Sequence, residues 1–438
     1  MTSSSVPRTL AQALPQQIGQ TVRVAGWVHR RRQLKSVAFL VLRDATGLTQ
    51  VVFATPASRA QLAELPEETV VEIVGTVTAN GAAPAGVEIT SPQVRLLGEA
   101  AAAMPFDLFR PELSASLPVQ LDHAPVALRH PQRAAGLRVS AAAVSGFRAT
   151  LDAARFVEIH TPKLVGSATE SGANVFGVDY FGQPAYLAQS PQFYKQLMVG
   201  VFERVYEVGP VFRAEPHDTA RHLAQYTSLD AELGFIADHR DVMAVLRETL
   251  AGMVATVTER AGESLAVLGV GAGGVALPEV PTEIPALHFT EALALAGAAP
   301  DEPDLSPADE RAIGAWALRE HGSDFVFVTG YPMRKRPFYT HPDPARPGYS
   351  NGFDLLFRGV ELVTGGQRLH RHADYLAALA ARGEPLAPVA SYVEAFRRGM
   401  PPHGGFAIGL ERFVARLLGV ANVRQVTAFP RDLHRLTP

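Results

Sequence analysis

Arg204–Asp238 reads RVYEVGPVFRAEPHDTARHLAQYTSLDAELGFIAD, and the rest of the chain is organised around this stretch. Val205–Phe212 is apolar and β-branched with one Gly-Pro interruption. Tyr226–Ile236 alternates loosely between apolar residues and Ser228, Asp230 and Glu232, so the spacing predicts two strands of one antiparallel hairpin. Arg213 and Glu215 close the first strand, and Arg221 and His222 sit in the connecting loop. A cation and an anion then face one cavity from a fixed backbone, a pairing that suits a triphosphate and a purine amino group. Arginine's planar fork gives phosphate paired donors that lysine lacks. A surface hairpin with solvated ion pairs is the plainer alternative, and the density of charge on strand-like sequence argues against it. His217 and His222, five residues apart in a loop, make a weak metal pair.

Downstream, residues 353–372 read FDLLFRGVELVTGGQRLHRH, which puts Asp354 and Glu361 on adjacent strands joined by a tight turn at Arg358-Gly359. Two carboxylates converging from strands, with the Thr364 hydroxyl nearby, are hard oxygen ligands of the type Mg²⁺ accepts when substrate phosphates complete its octahedron. Gly365 and Gly366 let the backbone approach a ligand closely, and Arg368 beside them can fork onto a small carboxylate. Further on, MPPHGGFAIGLERFVARLLG (400–419) is a Gly-rich strand running into a helix with Arg412 in its first turn. SPADERAIGAWALREHG (306–322) reads as one capped helix. In FVFVTGYPMRKRPFYTHPD (325–343), Arg334 and Lys335 read as a basic surface loop. Gly269, Gly271 and Gly274 have formal G-x-G-x-x-G spacing, but Pro278, Pro281 and Pro285 forbid the helix a dinucleotide site requires.

Upstream, YLAQSPQFYKQLMVGVF (186–202) opens a helix, with Ser190 as N-cap and Pro191 at the first helical position. One turn then separates Gln192 from Lys195, and a helix N-terminus with a lysine beside it suits a carboxylate. Before it, GLRVSAAAVSGFRATLDAARF predicts a long amphipathic helix, followed by FVEIHTPKLVGSATESGANVF (156–176), where Pro162 ends an extended segment and a Gly/Ser/Thr-rich run can act as a lid.

FRAEPHDTARHLAQYTSLDAELGF resembles motif 2 of the class II aminoacyl-tRNA synthetases, in their archaeal-type aspartyl branch. Helix, strand and Pro162 resemble motif 1, which in that family builds the dimer interface. Gly405, Gly409, Glu411 and Arg412 match motif 3. The three occur in order, and QSPQFYKQ at 189–196 looks like the aspartyl branch, whereas asparaginyl relatives usually carry a carboxylate where Lys195 stands. The interval from Asp238 to Gly404 is too short for the large domain that bacterial-type enzymes insert there.

Residues 1–104 carry the other half of the resemblance. TVRVAGWVHRR, VAFLVLRDATGLTQVVFA, TVVEIVGTVTA and VEITSPQVRLLG give four or five alternating strands separated by Gly, Asn and Pro, most economically an OB-type barrel. His29, Arg30, Arg31, Arg32 and Lys35 lie among Trp27 and Phe39, the mixture of charge and flat faces that single-stranded nucleic acid needs; an ordinary solvated strand edge is the rival reading. Five prolines punctuate 105–135, which reads as a hinge between the barrel and a catalytic domain at 136–438. The expected fold class is α+β: the barrel, then an antiparallel sheet flanked by helices.

The 438 residues carry 19 % charged side chains and a formal net charge of −3, so any nucleic-acid contact must come from local patches. With no cysteine in the sequence, disulfides, thiolate metal sites and a cysteine nucleophile are excluded. No stretch of about 18 unbroken apolar residues occurs, and the N-terminus lacks a leader pattern; the expectation is a cytoplasmic protein without a membrane span.

The resemblance implies ATP-dependent attachment of L-aspartate to tRNA(Asp) through an aspartyl-adenylate, in a homodimer with ATP as substrate and Mg²⁺ as metal. Arg213 would hold the α-phosphate; Arg412, Arg221 and His222 the outer phosphates; Glu215 the adenine amino group. Asp354 and Glu361, with Thr364, would hold the metal, and Glu232 matches a family carboxylate near it. Arg368 and Lys195 would hold the substrate's side-chain carboxylate, Arg336 matches a cation near the substrate, and Glu170, Gln192 and Asp230 would face its ammonium, with Gln189 and Ser190 in support. His29 and Pro84 stand where relatives that also charge tRNA(Asn) carry the same pair, which implies a relaxed anticodon reader feeding an amidotransferase. An asparaginyl enzyme, or a paralogue that keeps the fold to bind nucleic acid without catalysis, are the rivals.

Overall fold

In the computed structural model, residues 6–167, 174–271 and 274–438 are described. They divide into two units, one ending at His130 and one beginning at Pro131.

The first unit holds five strands, β1 (Thr21–Gln33), β2 (Ala38–Arg43), β3 (Leu48–Phe53), β4 (Val70–Ala79) and β5 (Val87–Gly98), closed in the order β1-β2-β3-β5-β4. Alternation along each strand sends Val22, Val24, Leu40, Leu42, Val51, Phe53, Ile73 and Ile89 inward to a dry core. Closure leaves no free edge, as expected of an OB-type barrel.

The second unit is built on an eight-stranded sheet. Its strands are β6 (Val157–Glu158), β10 (Arg204–Phe212), β11 (Gln225–Gly234), β12 (Ala286–His288), β13 (Phe325–Thr329), β14 (Gly352–Phe357), β15 (Glu361–Gln367) and β16 (His403–Gly409). A small separate sheet comprises β7 (Leu164–Val165), β8 (Gly177–Tyr180) and β9 (Gln183–Leu187). The large sheet runs β12-β13-β14-β15-β16-β11-β10-β6, with six antiparallel strands in the middle and one parallel strand at each edge.

Side-chain alternation sorts this sheet into two faces. Leu229, Ala231, Phe353, Leu355, Phe406 and Ile408 are buried against two long helices, Pro131–Ala153 and His239–Arg260, whose Phe147, Leu151, Leu246, Leu250 and Met253 complete the main core. Those helices approach closely because Gly146 faces the backbone of Gly252 and Met253, where a Cβ would sit 2.8 Å from either. The opposite face presents Ser228, Asp230 and Glu232 from β11, Asp354 from β14, and the small residues Gly405, Ala407 and Gly409 from β16. Across the strands Asp354 pairs with Thr364, Thr364 with Ala407, and Ala407 with Asp230, one continuous row on that face. The predicted hairpin is β10 and β11, with Val205 opposite Glu232 and Phe212 opposite Gln225.

Candidate active site

Helix Gln192–Phe202 lies against β10, β11 and β16 and drops Lys195 onto the polar face. It starts one residue later than the sequence predicts: Pro191 is the N-cap, and the Ser190 hydroxyl accepts from the Gln192 N–H at 2.9 Å. Lys195 Nζ donates to Asp230 Oδ1 and to the Phe406 carbonyl, each at 3.0 Å, and lies 3.5 Å from Glu232 Oε2. Arg368, just past β15, donates from Nε to Glu232 Oε1 at 3.1 Å and from Nη2 to the Gly405 carbonyl at 3.0 Å. Two cations and two anions are thus buried together. Glu232 is fully buried between them. The expectation that it serves the metal is corrected: its carboxylate is the counter-ion of the Arg368–Lys195 pair. A Cβ on Gly405 would lie 2.1 Å from Glu232 Oε2, so only glycine leaves room for that carboxylate.

Behind this cluster is a hydrogen-bonded layer that sequence reasoning missed. Gln192 donates to Gln196 Oε1 at 2.9 Å, and Tyr392 donates to the same oxygen at 3.0 Å. The Gln196 amide reaches His403 Nε2 at 3.0 Å. His403 Nδ1 lies 2.9 Å from the Pro401 carbonyl, and burial pulls the ring's pKa down, so it is neutral with the proton on Nδ1. One side of the Gln192 amide is committed to this layer, which fixes its direction toward the cavity.

The cavity itself holds about 500 Å³. Ser190, Gln192, Lys195, Asp230 and Arg368 line one end. Arg213, Glu215, Arg221 and His222 line it from the β10–β11 loop, and Glu361, Thr364 and Arg412 from β15 and the helix Leu410–Leu417. The structure therefore gathers in one cavity most of the residues the sequence singled out from four separate segments. Arg213 lies 5.8 Å from the Tyr226 ring. Arg412 donates to the Glu361 carbonyl at 2.8 Å, and Glu411 accepts the Thr227 N–H with both oxygens at 3.1 Å, pinning the motif 3 helix to β11.

His222 is a neutral base here. Burial, then Arg412 and Arg221, hold its pKa down to about 4, and its Nδ1 lies 2.6 Å from the Thr219 hydroxyl. Arg221 is held by Glu310 at 3.2 Å, and the other function of Glu310 is to accept the Glu361 N–H at 2.9 Å. Glu310 belongs to the helix Pro307–His321, some ninety positions from Arg221, and nothing local in the sequence marks it.

Asp354 and Glu361 flank the turn Arg358-Gly359, whose two residues take φ of +49° and +68°. Thr364 donates to Glu361 Oε1 at 3.2 Å and stands opposite Asp354 across the strand pair. Burial pushes the Asp354 carboxyl up to about 6; Arg336 opposes that shift and the nearby Glu361 adds to it. Two carboxylates that repel each other, with a hydroxyl beside them, fit a divalent cation with hard oxygen preference. Among the described residues no group of three or more His, Cys, Asp or Glu is gathered as a metal site. His217 and His222 sit with ring centroids 5.2 Å apart and form no such group.

Some expected residues lie elsewhere. Gln189 is fully buried and does not line the cavity, and Glu170 lies outside the described residues. In the first unit, His29 sits at the register shift between Val28 and Arg30, with its ring buried and its pKa lowered by burial and by Arg43. The bulge turns it away from the phase that alternation predicts. Pro84 opens a single turn, Pro84–Gly86, between β4 and β5. Of the basic run, Arg30 stacks on Phe109 at 3.8 Å and Arg31 donates to the Ala63 carbonyl at 2.7 Å, while Arg32 and Lys35 are exposed.

Known proteins match the chain along its whole length. The family described as tRNA synthetases class II (D, K and N) matches residues 116–433, and the OB-fold nucleic acid binding domain matches residues 22–97. The chain is 46 % identical to a Deinococcus radiodurans protein named aspartate--tRNA(Asp/Asn) ligase, over 100 % of both chains. It is 45 % identical to the Thermus thermophilus protein of the same name, covering 98 % of this chain and 100 % of the other. Its structure resembles asparaginyl-tRNA synthetase from Pyrococcus horikoshii complexed with asparaginyl-adenylate, with a TM-score of 0.91 and 28 % identity over 99 % of this chain and 100 % of that one.

Proposed function

Since the chain belongs to the class II aminoacyl-tRNA synthetases, in the group that handles aspartate, lysine and asparagine, we propose that it attaches L-aspartate to tRNA(Asp) and also to tRNA(Asn). The observation that carries the choice of amino acid is the pair of buried cations, Lys195 and Arg368, at one end of the cavity. A carboxylate at that end meets two fixed donors, whereas an amide leaves them underpaired at a cost of roughly 1–3 kcal/mol for each unmet buried group. An asparaginyl reading has the solved structural relative in its favour but must explain the lysine.

In the first step an oxygen of the aspartate α-carboxylate attacks the α-phosphorus of ATP, the bond to the β-phosphate oxygen breaks, and pyrophosphate leaves with that electron pair. In the second, the terminal ribose hydroxyl of tRNA attacks the aspartyl carbonyl, AMP leaves, and the hydroxyl proton passes to the departing phosphate or to water. Neither step needs a covalent nucleophile on the protein, so the work is positioning and charge neutralisation. Arg213 neutralises the α-phosphate as its geometry becomes five-coordinate. Arg221, His222 and Arg412 receive the outer phosphates, and Glu215 accepts from the adenine amino group. Asp230, Gln192 and Glu170 take the ammonium. Asp354 and Glu361, with Thr364, would hold Mg²⁺, which supplies further neutralisation of the triphosphate when bound.

We also infer a homodimer in the cytoplasm. Val157 on the edge strand β6, and Val201, Phe202 and Phe235 beside the Gly234-to-Glu203 backbone hydrogen bond, are exposed apolar groups that a second copy would cover. The barrel would read the anticodon through Arg32, Lys35 and Phe39, with His29 acting from within the β1 bulge and Pro84 from the β4–β5 turn. Aspartate placed on tRNA(Asn) requires an amidotransferase downstream. The deciding test is aminoacylation of purified tRNA(Asp) and tRNA(Asn) transcripts with labelled aspartate and, separately, labelled asparagine. Aspartate on both supports the proposal; aspartate on tRNA(Asp) alone removes the relaxed anticodon reading, and asparagine on either overturns the amino-acid assignment.

A further inference from the structure

The carboxylate pair has a resident that the reaction scheme does not use. Arg336 donates from Nη2 to both oxygens of Asp354, at 3.2 and 3.3 Å. Its guanidinium lies 4.1 Å from the Tyr331 ring, while Nε is buried and has no hydrogen-bond partner among the described residues. Arg336 lines the cavity; so do Glu361 and Thr364. Asp354 does not. The guanidinium therefore reaches both the cavity and Asp354.

From this we propose that Arg336 is a place-holding cation: it occupies Asp354 until a metal–nucleotide complex arrives, and it keeps a bare divalent ion out. The inference rests on the assignment of Asp354 and Glu361 as metal ligands. A cation already paired with Asp354 halves the negative charge an entering ion meets, and it repels that ion directly. A triphosphate changes the balance in two ways. It brings its own ligand oxygens for the metal, and it offers Arg336 an anion on the cavity side. The unmatched Nε and the flat Tyr331 face leave the guanidinium less firmly held than a fully hydrogen-bonded arginine, so it can slide along the ring and exchange one anion for another. Metal and nucleotide then enter together, and the order of binding is built into a side chain that contacts neither the reacting phosphorus nor the amino acid's ammonium.

The test is binding of Mn²⁺ to the full chain, followed by electron paramagnetic resonance of the free ion, with and without the non-hydrolysable β,γ-imido analogue of ATP. Wild type is expected to bind Mn²⁺ weakly alone and tightly with the analogue. Arg336→Gln is expected to bind Mn²⁺ without nucleotide at least about tenfold more tightly than wild type, because one positive charge has left a partly buried site. Arg336→Lys keeps the charge and is expected to show no such gain, and Asp354→Asn combined with Arg336→Gln is expected to lose it. A thermal melt establishes that each variant is folded. Unchanged nucleotide-free binding in folded Arg336→Gln, or an equal gain in Arg336→Lys, overturns the proposal while leaving the metal assignment standing. If Asp354→Asn alone binds Mn²⁺ with the analogue as wild type does, the metal assignment itself falls.

Discussion

Lys195 Nζ lies 3.0 Å from Asp230 Oδ1, with each side chain only 1 % exposed. Ions this deeply buried are held by each other, because neither has water to return to. Replacing Lys195 with Met strands Asp230 and leaves Glu232 with one cation. The expected cost is about 3–5 kcal/mol of stability. Chemical denaturation should show a large fall in the midpoint for Lys195→Met, and almost none for the exposed Lys335→Ala.

Glu310 touches no substrate in the proposed scheme, yet it orients Arg221 and fixes the backbone of Glu361. Glu310→Gln keeps the shape and removes the charge that holds Arg221. The KM for ATP in pyrophosphate exchange is expected to rise by about tenfold, the equivalent of one charge-assisted hydrogen bond, with the KM for aspartate unmoved. Equal rises in both would mean that Glu310 merely supports the fold.

The pH response of nucleotide binding should come from His222. Its pKa is held at about 4, below the usual 6.5, so the folded chain binds fewer protons than an unfolded one. That group's contribution to stability is intact above pH 6.5 and is lost as pH falls toward 4. Phosphate oxygens arriving beside the ring favour the protonated form. ATP binding should therefore take up a proton in the window from about pH 4 to 6.5, seen by calorimetry in buffers of different ionisation enthalpy, and His222→Asn should abolish the uptake.

Two glycines of β16 make a paired test. At Gly405 a Cβ would meet the Ala231 carbonyl at 2.1 Å, so Gly405→Ala is expected to cost roughly 1–3 kcal/mol or more through forced backbone movement. At Gly409 the nearest atom is 3.8 Å away. Gly409→Ala should melt like wild type and show its effect, if any, in ATP binding.

The parts of this site that could be read from sequence were those set by local rules. The hairpin of β10 and β11, the Arg358-Gly359 turn that brings Asp354 to Glu361, and the Gly-rich strand leading to Arg412 each follow from alternation, turn chemistry or spacing within some twenty residues. What was not legible depended on which strands become neighbours. Alternation places Glu232 on the polar face, but only the β11–β16 and β15–β16 pairings bring Arg368 to it, 136 positions away. Glu310 and the Gln196–Tyr392–His403 layer are hidden for the same reason. At His29 a bulge shifted the phase on which the reading of an exposed edge relied.

The row Asp354–Thr364–Ala407–Asp230 spans three steps between adjacent strands, about 14 Å at the usual inter-strand spacing. Backbone hydrogen bonds set that length, and no side chain can stretch it. In the proposed scheme the sheet acts as a gauge, with the metal end at one stop and the ammonium end at the other. On that scheme an amino acid longer by one methylene would seat its side chain and overshoot with its reacting carboxylate, and discrimination by size would follow from the register of the strands.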